Sequence, residues 1–284
     1  MKLRYAYNTN GAAHHRLPDA LRLIAEAGYD GVALTLDWHH LDPFGERWQA
    51  DTHNVHRLLE EHGLSVVIET GARYLLDPKE KHEPTLISPL PQDRARRIAF
   101  LKRAVDIAKL LHAETVSFWA GVRKQAVAEK EAYHHLGEGL LKVADYAEQE
   151  DVHISLEPEP GMFIETNADY QRLLDTHPSL QDSLHLALDL GHVWVTGEDD
   201  PARAVHRYAD RLGTVSIEGM NQGQHLHLPL HEGDMAIKPL LEALHDVRFD
   251  RLVCVELSRE SVRAHHAIPQ SIAYLREVEE SLDR

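Results

Sequence analysis

Leu186-Ala187-Leu188-Asp189-Leu190-Gly191-His192 runs apolar for three residues, stops on an acid and follows it with an imidazole. The same shape recurs in Ile154-Ser155-Leu156-Glu157 and in Leu252-Val253-Cys254-Val255-Glu256, and a fourth run, Val215-Ser216-Ile217-Glu218, also ends on an acid. Short apolar runs of this kind read as strands buried on both faces, the signature of a parallel sheet. Polar groups gathered at one end of consecutive parallel strands are how a barrel builds an active site. The pattern therefore points to an enzyme with its chemistry at the strand exits.

Outward from these runs, strand-like and helix-like patterns alternate along the whole chain. Strands are expected at 3–8, 31–36, 64–69, 115–119, 152–157, 184–189, 213–218 and 252–256. Helices are expected near 17–27, 51–62, 93–111, 129–150, 168–175, 201–210, 236–245 and 268–282. In the third helix Ile98, Leu101, Ala104, Val105, Ala108 and Leu111 form one stripe, with Arg96, Arg103 and Asp106 on the other side. Gly28 and Gly63 stand where helices must end before the next strand, in the left-handed cap position. Eight such units predict an α/β fold, a single (β/α)8 TIM barrel domain over residues 1–284. A doubly wound open sheet is the alternative. Two strand exits are long, 70–92 and 219–235, the second holding His225, His227 and His231; long loops in compact domains are usually functional or disordered.

Composition narrows the function. The 284 residues carry 46 acids against 30 Lys and Arg, a formal charge of −16 with His neutral, so the average surface repels polyphosphate and nucleic acid is not an expected partner. One cysteine, Cys254, excludes an internal disulfide framework and a cysteine-rich zinc module, and it reads as a small buried strand residue. No apolar leader precedes the first strand and no run approaches the length of a membrane span, so a cytoplasmic location is expected.

Carboxylates converging in a partly dry pocket repel one another unless they share protons or hold a cation. Glu157, Asp189 and Glu256 offer hard oxygen ligands that suit Mn²⁺ or Mg²⁺, and a nearby imidazole would admit Zn²⁺ or Co²⁺. Gly191 permits a turn that would bring His192 over the mouth, the alternative being a His192 that only caps the following loop. Trp38, Trp119 and Trp194 lie at or beyond strand ends and suit either the apolar face of a sugar or a core cover. Arg73 and Lys81 suit a phosphate or carboxylate, His39 and His40 border a strand exit, and the pairs His134-His135 and His265-His266 read as surface residues.

The stretches Tyr7-Asn8-Thr9-Asn10-Gly11, Ala33-Leu34-Thr35-Leu36-Asp37, Val66-Val67-Ile68-Glu69-Thr70-Gly71-Ala72-Arg73, Lys81-His82-Glu83-Pro84-Thr85, Leu156-Glu157-Pro158-Glu159-Pro160-Gly161-Met162 and Val255-Glu256-Leu257-Ser258 resemble the xylose-isomerase-like barrel superfamily. That superfamily contains sugar isomerases and epimerases and the zinc AP endonucleases, and the likeness to sugar phosphate isomerase/epimerase-like proteins spans essentially the whole chain. The resemblance implies one divalent ion held by Glu157, Asp189 and Glu256, with Ser216 where the epimerases place a histidine; Glu218, His225, His227 or water would then complete the set. His227 is carried as the fourth ligand because His225-Leu226-His227 is similar to an aspartate-x-histidine pair of the endonucleases.

What the resemblance implies is a sugar isomerase or epimerase in which Glu157 and Glu256 move a proton beside a carbonyl through an enediolate. His192, Glu69, Arg73, Trp119, His225 and Glu218 would contact a small sugar-like substrate. A homodimer is compatible with it. Two alternatives stay open. One is a metal-dependent phosphoesterase of the AP endonuclease type, against which Glu69 and Trp119 stand where further His ligands would be needed. The other is a noncatalytic barrel with a degenerate metal site.

Overall fold

The computed structural model describes residues 2–71 and 73–282. Its strands are β1 (Arg4–Asn8), β2 (Gly31–Thr35), β3 (Ser65–Glu69), β4 (Val116–Trp119), β5 (Ile154–Glu157), β6 (Leu184–Asp189), β7 (Leu212–Ile217), β8 (Gly219–Asn221), β9 (Gln224–Leu228) and β10 (Leu252–Val255). All except β8 and β9 close into one ring, β1-β10-β7-β6-β5-β4-β3-β2, and every pairing round it is parallel. The expected (β/α)8 barrel is the observed one. Helices α1 (Leu17–Ala27), α2 (Trp48–His62), α3 (Pro91–Leu111), α4 (Glu129–Gln149), α5 (Asn167–Thr176), α6 (Leu190–Thr196), α7 (Pro201–Tyr208), α8 (Ile237–Asp246) and α9 (Ala264–Glu280) connect the strands. None is long and apolar enough to cross a membrane.

Alternation along each strand divides its residues between two environments. Tyr5, Tyr7, Val32, Leu34, Val66, Ile68, Val253 and Val255 belong to the large core shared with the helices. Ala6, Ala33, Val67, Leu252 and Cys254 form a separate buried cluster. These small and medium side chains fill the barrel's centre, which makes Cys254 a packing residue, 1% exposed. Two residues further on, the same face carries Asn8, Thr35, Glu69 and Glu256. By the same parity Trp119, Glu157, Asp189 and Ser216 end the inward columns of the other strands, Asp189 and Ser216 standing side by side in register. A core too narrow for large side chains thus opens at its exit end onto a ring of polar ones.

Three local differences from the sequence reading have identifiable causes. Helix α2 starts at Trp48, three residues before the expected 51, and the Trp48 ring is held under the Arg103 guanidinium, 3.9 Å from it. Gly191 is not a turn residue but lies in the seven-residue helix α6, whose first turn is capped by the Asp189 side chain accepting from His192 N at 2.8 Å. The 219–235 connection is not a plain loop, because β8 and β9 pair antiparallel across it. Gly28 and Gly63 take the left-handed caps expected of them, φ 93° and 65°.

Close packing at the bottom of the ring predicts a cost for any added atom. A Cβ at Gly31 would sit 2.7 Å from Leu252 Cδ1 and 2.8 Å from the Ser65 carbonyl. Gly31→Ala is expected to lower stability by about 1–3 kcal/mol in urea unfolding; an unchanged midpoint would show that the ring relaxes freely there.

Candidate active site and metal centre

Three of the acids singled out from sequence meet at the same mouth. Glu157 and Asp189 are the last residues of β5 and β6, and Glu256 follows β10 directly. Carboxylate oxygens of all three lie within 4.8 Å of one another. Glu157 and Asp189 are 8% and 2% exposed, so water does little to screen them. Asn10, just beyond β1, donates its amide to Glu256 Oε1 at 2.8 Å, which fixes one oxygen and leaves the other for chemistry.

The electrostatics record the crowding. Burial, reinforced by Glu159, Glu256, Glu69 and Asp189, raises the Glu157 carboxyl well above its ordinary range. Glu69 is raised in the same way, by burial and then Glu256. Glu159, in the loop after β5, is pushed up to about 7, chiefly by burial and then Glu256. Asp189 is the exception: burial acts to raise it, but His192, His227 and the His192 backbone N–H outweigh that and hold it low.

A second group of donors stands over the acids. His225 and His227 project from β9, and His192 from α6. His192 Nδ1 lies 3.1 Å from the Pro158 carbonyl and His227 Nδ1 lies 3.1 Å from the Glu256 carbonyl. A carbonyl only accepts, so both Nδ1 atoms carry hydrogen and both Nε2 atoms of the neutral rings present lone pairs. His225 Nε2 sits 3.0 Å from His192 Nε2 and 3.2 Å from His227 Nε2. Either a proton or a cation must lie among the three nitrogens. Metal–nitrogen bonds of about 2.0–2.1 Å place neighbouring ligands roughly 3 Å apart, so the spacing suits an ion. Burial lowers His192 to about 4, and burial followed by His227 lowers His225. His227 is raised: burial opposes, but Glu256 and Asp189 prevail.

A divalent ion fits these residues. Glu157, Asp189 and Glu256 form an all-oxygen set, the three imidazoles an all-nitrogen set, and Glu157, Glu159 and His192 a mixed one. Asp189 Oδ2 and both oxygens of Glu218 are buried without a hydrogen-bond partner among the described residues. Buried orphaned carboxylate oxygens beside other acids are costly unless a proton or cation satisfies them.

The remaining expectations divide by position. A cavity of about 470 Å³ at the mouth is lined by Glu69, Arg73, Lys81, Trp119, His39 and His40 as well as by Glu157, His192, His225, His227 and Glu256. Glu218 does not line it. Fully buried, and raised by burial and by Asp189, it lies where a Cβ on Gly191 would stand, 1.8 Å from Oε1. Direct substrate contact, expected for Glu218, does not fit that location, and the same contact explains why residue 191 is glycine. Trp38 is 74% exposed and Trp194 donates to Asp234 at 2.6 Å, so neither faces the cavity. His134, His265 and His266 are exposed as expected, His135 partly so.

Several residues of the cavity lining escaped the sequence reading. Glu159 and Asn10 fell within quoted stretches but were given no role, although one lies two residues past a strand-end acid and the other two past the end of β1. Arg259, also at the mouth, carried no signal beyond its nearness to Glu256.

A family profile described as a xylose isomerase-like TIM barrel matches residues 21–278. A stretch of 101 residues is 27% identical to inosose dehydratase 1 of Bacillus cereus, spanning 35% of this chain and about a third, 33%, of that relative's length. Among solved structures, D-allulose 3-epimerase from Methylomonas sp. in complex with D-allulose is similar at TM-score 0.77 and 19% identity, covering 97% of both chains. The IOLI protein with a bound zinc atom is similar at TM-score 0.75 and 17% identity, over 98% of this chain and 99% of that one. On the match over residues 21–278 and the closed eight-stranded ring, this chain belongs to the xylose isomerase-like TIM barrel family.

Proposed function

We propose that the protein is a divalent-metal-dependent isomerase or epimerase of a small polyhydroxy carbonyl compound, acting by proton transfer through an enediolate. The observation that carries this is the meeting of Glu157, Asp189 and Glu256 within 4.8 Å at a buried barrel mouth. The sugar epimerase of the same fold supports it. Glu157, Asp189 and Glu256 would hold one ion, with His227 the fourth ligand and Mn²⁺ or Mg²⁺ preferred by the oxygen donors; Zn²⁺ or Co²⁺ would suit the imidazoles. Bound there, the ion supplies Lewis acidity that polarises a carbonyl and stabilises developing negative charge.

The chain's own residues do the proton work. Glu157 and Glu256 stand three strands apart round the ring, on β5 and at the end of β10, and so reach a substrate from different sides. One removes the proton from the carbon beside the carbonyl and the other returns it. A raised carboxyl such as Glu157 is poised for this, because a group titrating nearer neutrality both accepts and gives protons readily. Asn10 holds Glu256 in place through Oε1. His192, neutral and anchored at Pro158 through Nδ1, orients a substrate hydroxyl by accepting from it at Nε2. Trp119 covers one wall of the cavity.

A metal-dependent phosphoesterase is the second reading, and the three convergent imidazoles favour it because they could take a further ion. Metal stoichiometry separates the two. One ion per chain in elemental analysis of purified protein agrees with proton transfer; two or more would favour the phosphoesterase.

Glu157→Gln or Glu256→Gln is expected to cut exchange of a carbon-bound substrate proton with deuterated solvent by about 10²-fold or more, with D-allulose and Mn²⁺ as a first substrate and ion. Full exchange in both variants would remove the two acids from the reaction.

A pH effect follows from the raised acids. Glutamates of the unfolded chain titrate near 4.5, whereas burial and neighbouring acids hold Glu157, Glu69 and Glu218 well above that and Glu159 at about 7. In that window the native state binds more protons than the unfolded one, so stability falls as pH rises. The buried His192, at about 4 against 6.5, acts oppositely but only below 6.5, where the unfolded imidazole is still charged. Between pH 6.5 and about 8 the metal-free protein should therefore lose thermal stability, and saturating Mn²⁺ should remove the loss. A midpoint that climbs across this window, or that ignores Mn²⁺, contradicts the assignment.

A further inference from the structure

We propose that the cavity takes a substrate bearing an anionic group, a phosphate or a carboxylate, gripped at its rim by Lys81, Arg259 and Arg73. The carbonyl end of that substrate rests on the isomerase or epimerase reading; the anion subsite stands on separate observations and is testable without turnover.

The cavity carries both signs of charge. The cavity's acids are Asp37, Glu69, Glu157, Glu159 and Glu256, while its Lys and Arg residues come from two loops only: Arg73 and Lys81 from the β3–α3 connection and Arg259 from the β10–α9 connection. Lys124 and Arg263, in neighbouring loops, have acidic partners, whereas Lys79 in the β3–α3 loop forms no ion pair among the described residues. Lys124 pairs with Glu80 at 2.8 Å and Glu83 at 3.4 Å, and Arg263 pairs with Glu260. Among the described residues Arg73, Lys81 and Arg259 form no ion pair, in a chain whose formal charge is −16. Acids are plentiful, yet none of those described comes within ion-pair distance of these three.

The rim is also built to be rigid. His82 N donates to the Arg73 carbonyl at 2.6 Å, which ties together the two ends of the segment carrying Arg73 and Lys81. Arg97 of α3, 4% exposed, spends its guanidinium on that loop, Nε on the Pro84 carbonyl at 2.7 Å and Nη2 on the His82 carbonyl at 2.6 Å. The same guanidinium lies 4.8 Å from the Trp119 ring, so loop and cavity wall are braced by one side chain. Burying a charged arginine to fix two carbonyls holds the loop in one arrangement. Cations presented on a fixed loop lose less entropy on binding than mobile ones. Guanidinium and ammonium groups there suit phosphate or carboxylate through charge-assisted hydrogen bonds.

The test uses full-length protein stripped of metal, so that an anion cannot report on a bound ion instead. Inorganic phosphate and acetate are titrated calorimetrically at low salt into the native protein, a Lys81→Ala/Arg259→Ala variant, and Lys142→Ala as a control on an exposed helical cation. Native protein and the control should bind at least one anion, with affinity lower by about tenfold or more in the double variant. With metal restored, kcat/KM is compared for a ketose, its terminal phosphate and the corresponding sugar acid. A preference for the phosphate or for the acid identifies the source of the anion, and in the double variant that preference should collapse, chiefly through KM. No anion binding by native protein, equal binding by the double variant, or a preference for the neutral sugar would overturn the proposal. Anion binding lost in the variant while no sugar is turned over would sustain the subsite and fail the isomerase reading instead.

Discussion

Repulsion among buried acids governs this molecule. The parallel ring brings carboxylate oxygens of Glu157, Asp189 and Glu256 within 4.8 Å, with Glu69, Glu159 and Glu218 close enough to raise one another or to be raised by them. Such a cluster cannot be fully ionised and dry at once. It must retain protons, which the raised carboxyls record, or it must hold a cation, which the orphaned Asp189 Oδ2 beside Glu157 and Glu256 accommodates. The imidazoles of His192 and His227 sit over this charge with Nε2 lone pairs turned toward His225 Nε2, so the same constraint extends into a second layer of donors.

Much of this was legible in the chain itself because parallel strands are read locally. Apolar runs that end on acids needed only a period-two face and the rule that barrels place chemistry at strand exits. Glu157, Asp189 and Glu256 were found that way, and the rhythm of eight units gave the ring. What depended on long-range contact was not legible. Gly191 looked like a turn residue, but its lack of a side chain answers to Glu218, 27 positions later in the sequence, which occupies that space. The strands β8 and β9 were hidden in a histidine-rich loop because β9, Gln224–Leu228, has no apolar run and faces the mouth rather than a core. Arg97 carried no signal at all: an arginine on an amphipathic helix reads as solvated, and only the folded loop supplies the carbonyls that bury it.

The substitution at Ser216 becomes intelligible in the same terms. Ser216 stands beside Asp189 in register and is only 8% exposed, too short to reach across the mouth. The hairpin after β7 instead brings His225 and His227 over it from above, with His227 fixed by the Glu256 carbonyl. Imidazole donors are thus supplied by an inserted β-ribbon rather than by the strand, and the ribbon is tethered to α6 through Trp194 and Asp234. The strand ends supply oxygen donors, the ribbon and α6 supply imidazoles, and the β3–α3 and β10–α9 connections supply cations to a single cavity.

Crystallography of the Mn²⁺-soaked protein with anomalous data tests the central claim most directly. The predicted result is one strong peak at the barrel mouth, about 2.0–2.4 Å from carboxylate oxygens of Glu157, Asp189 and Glu256. A mouth without a peak at saturating Mn²⁺, or a peak bound by the three imidazoles alone with the carboxylates turned away, would contradict it.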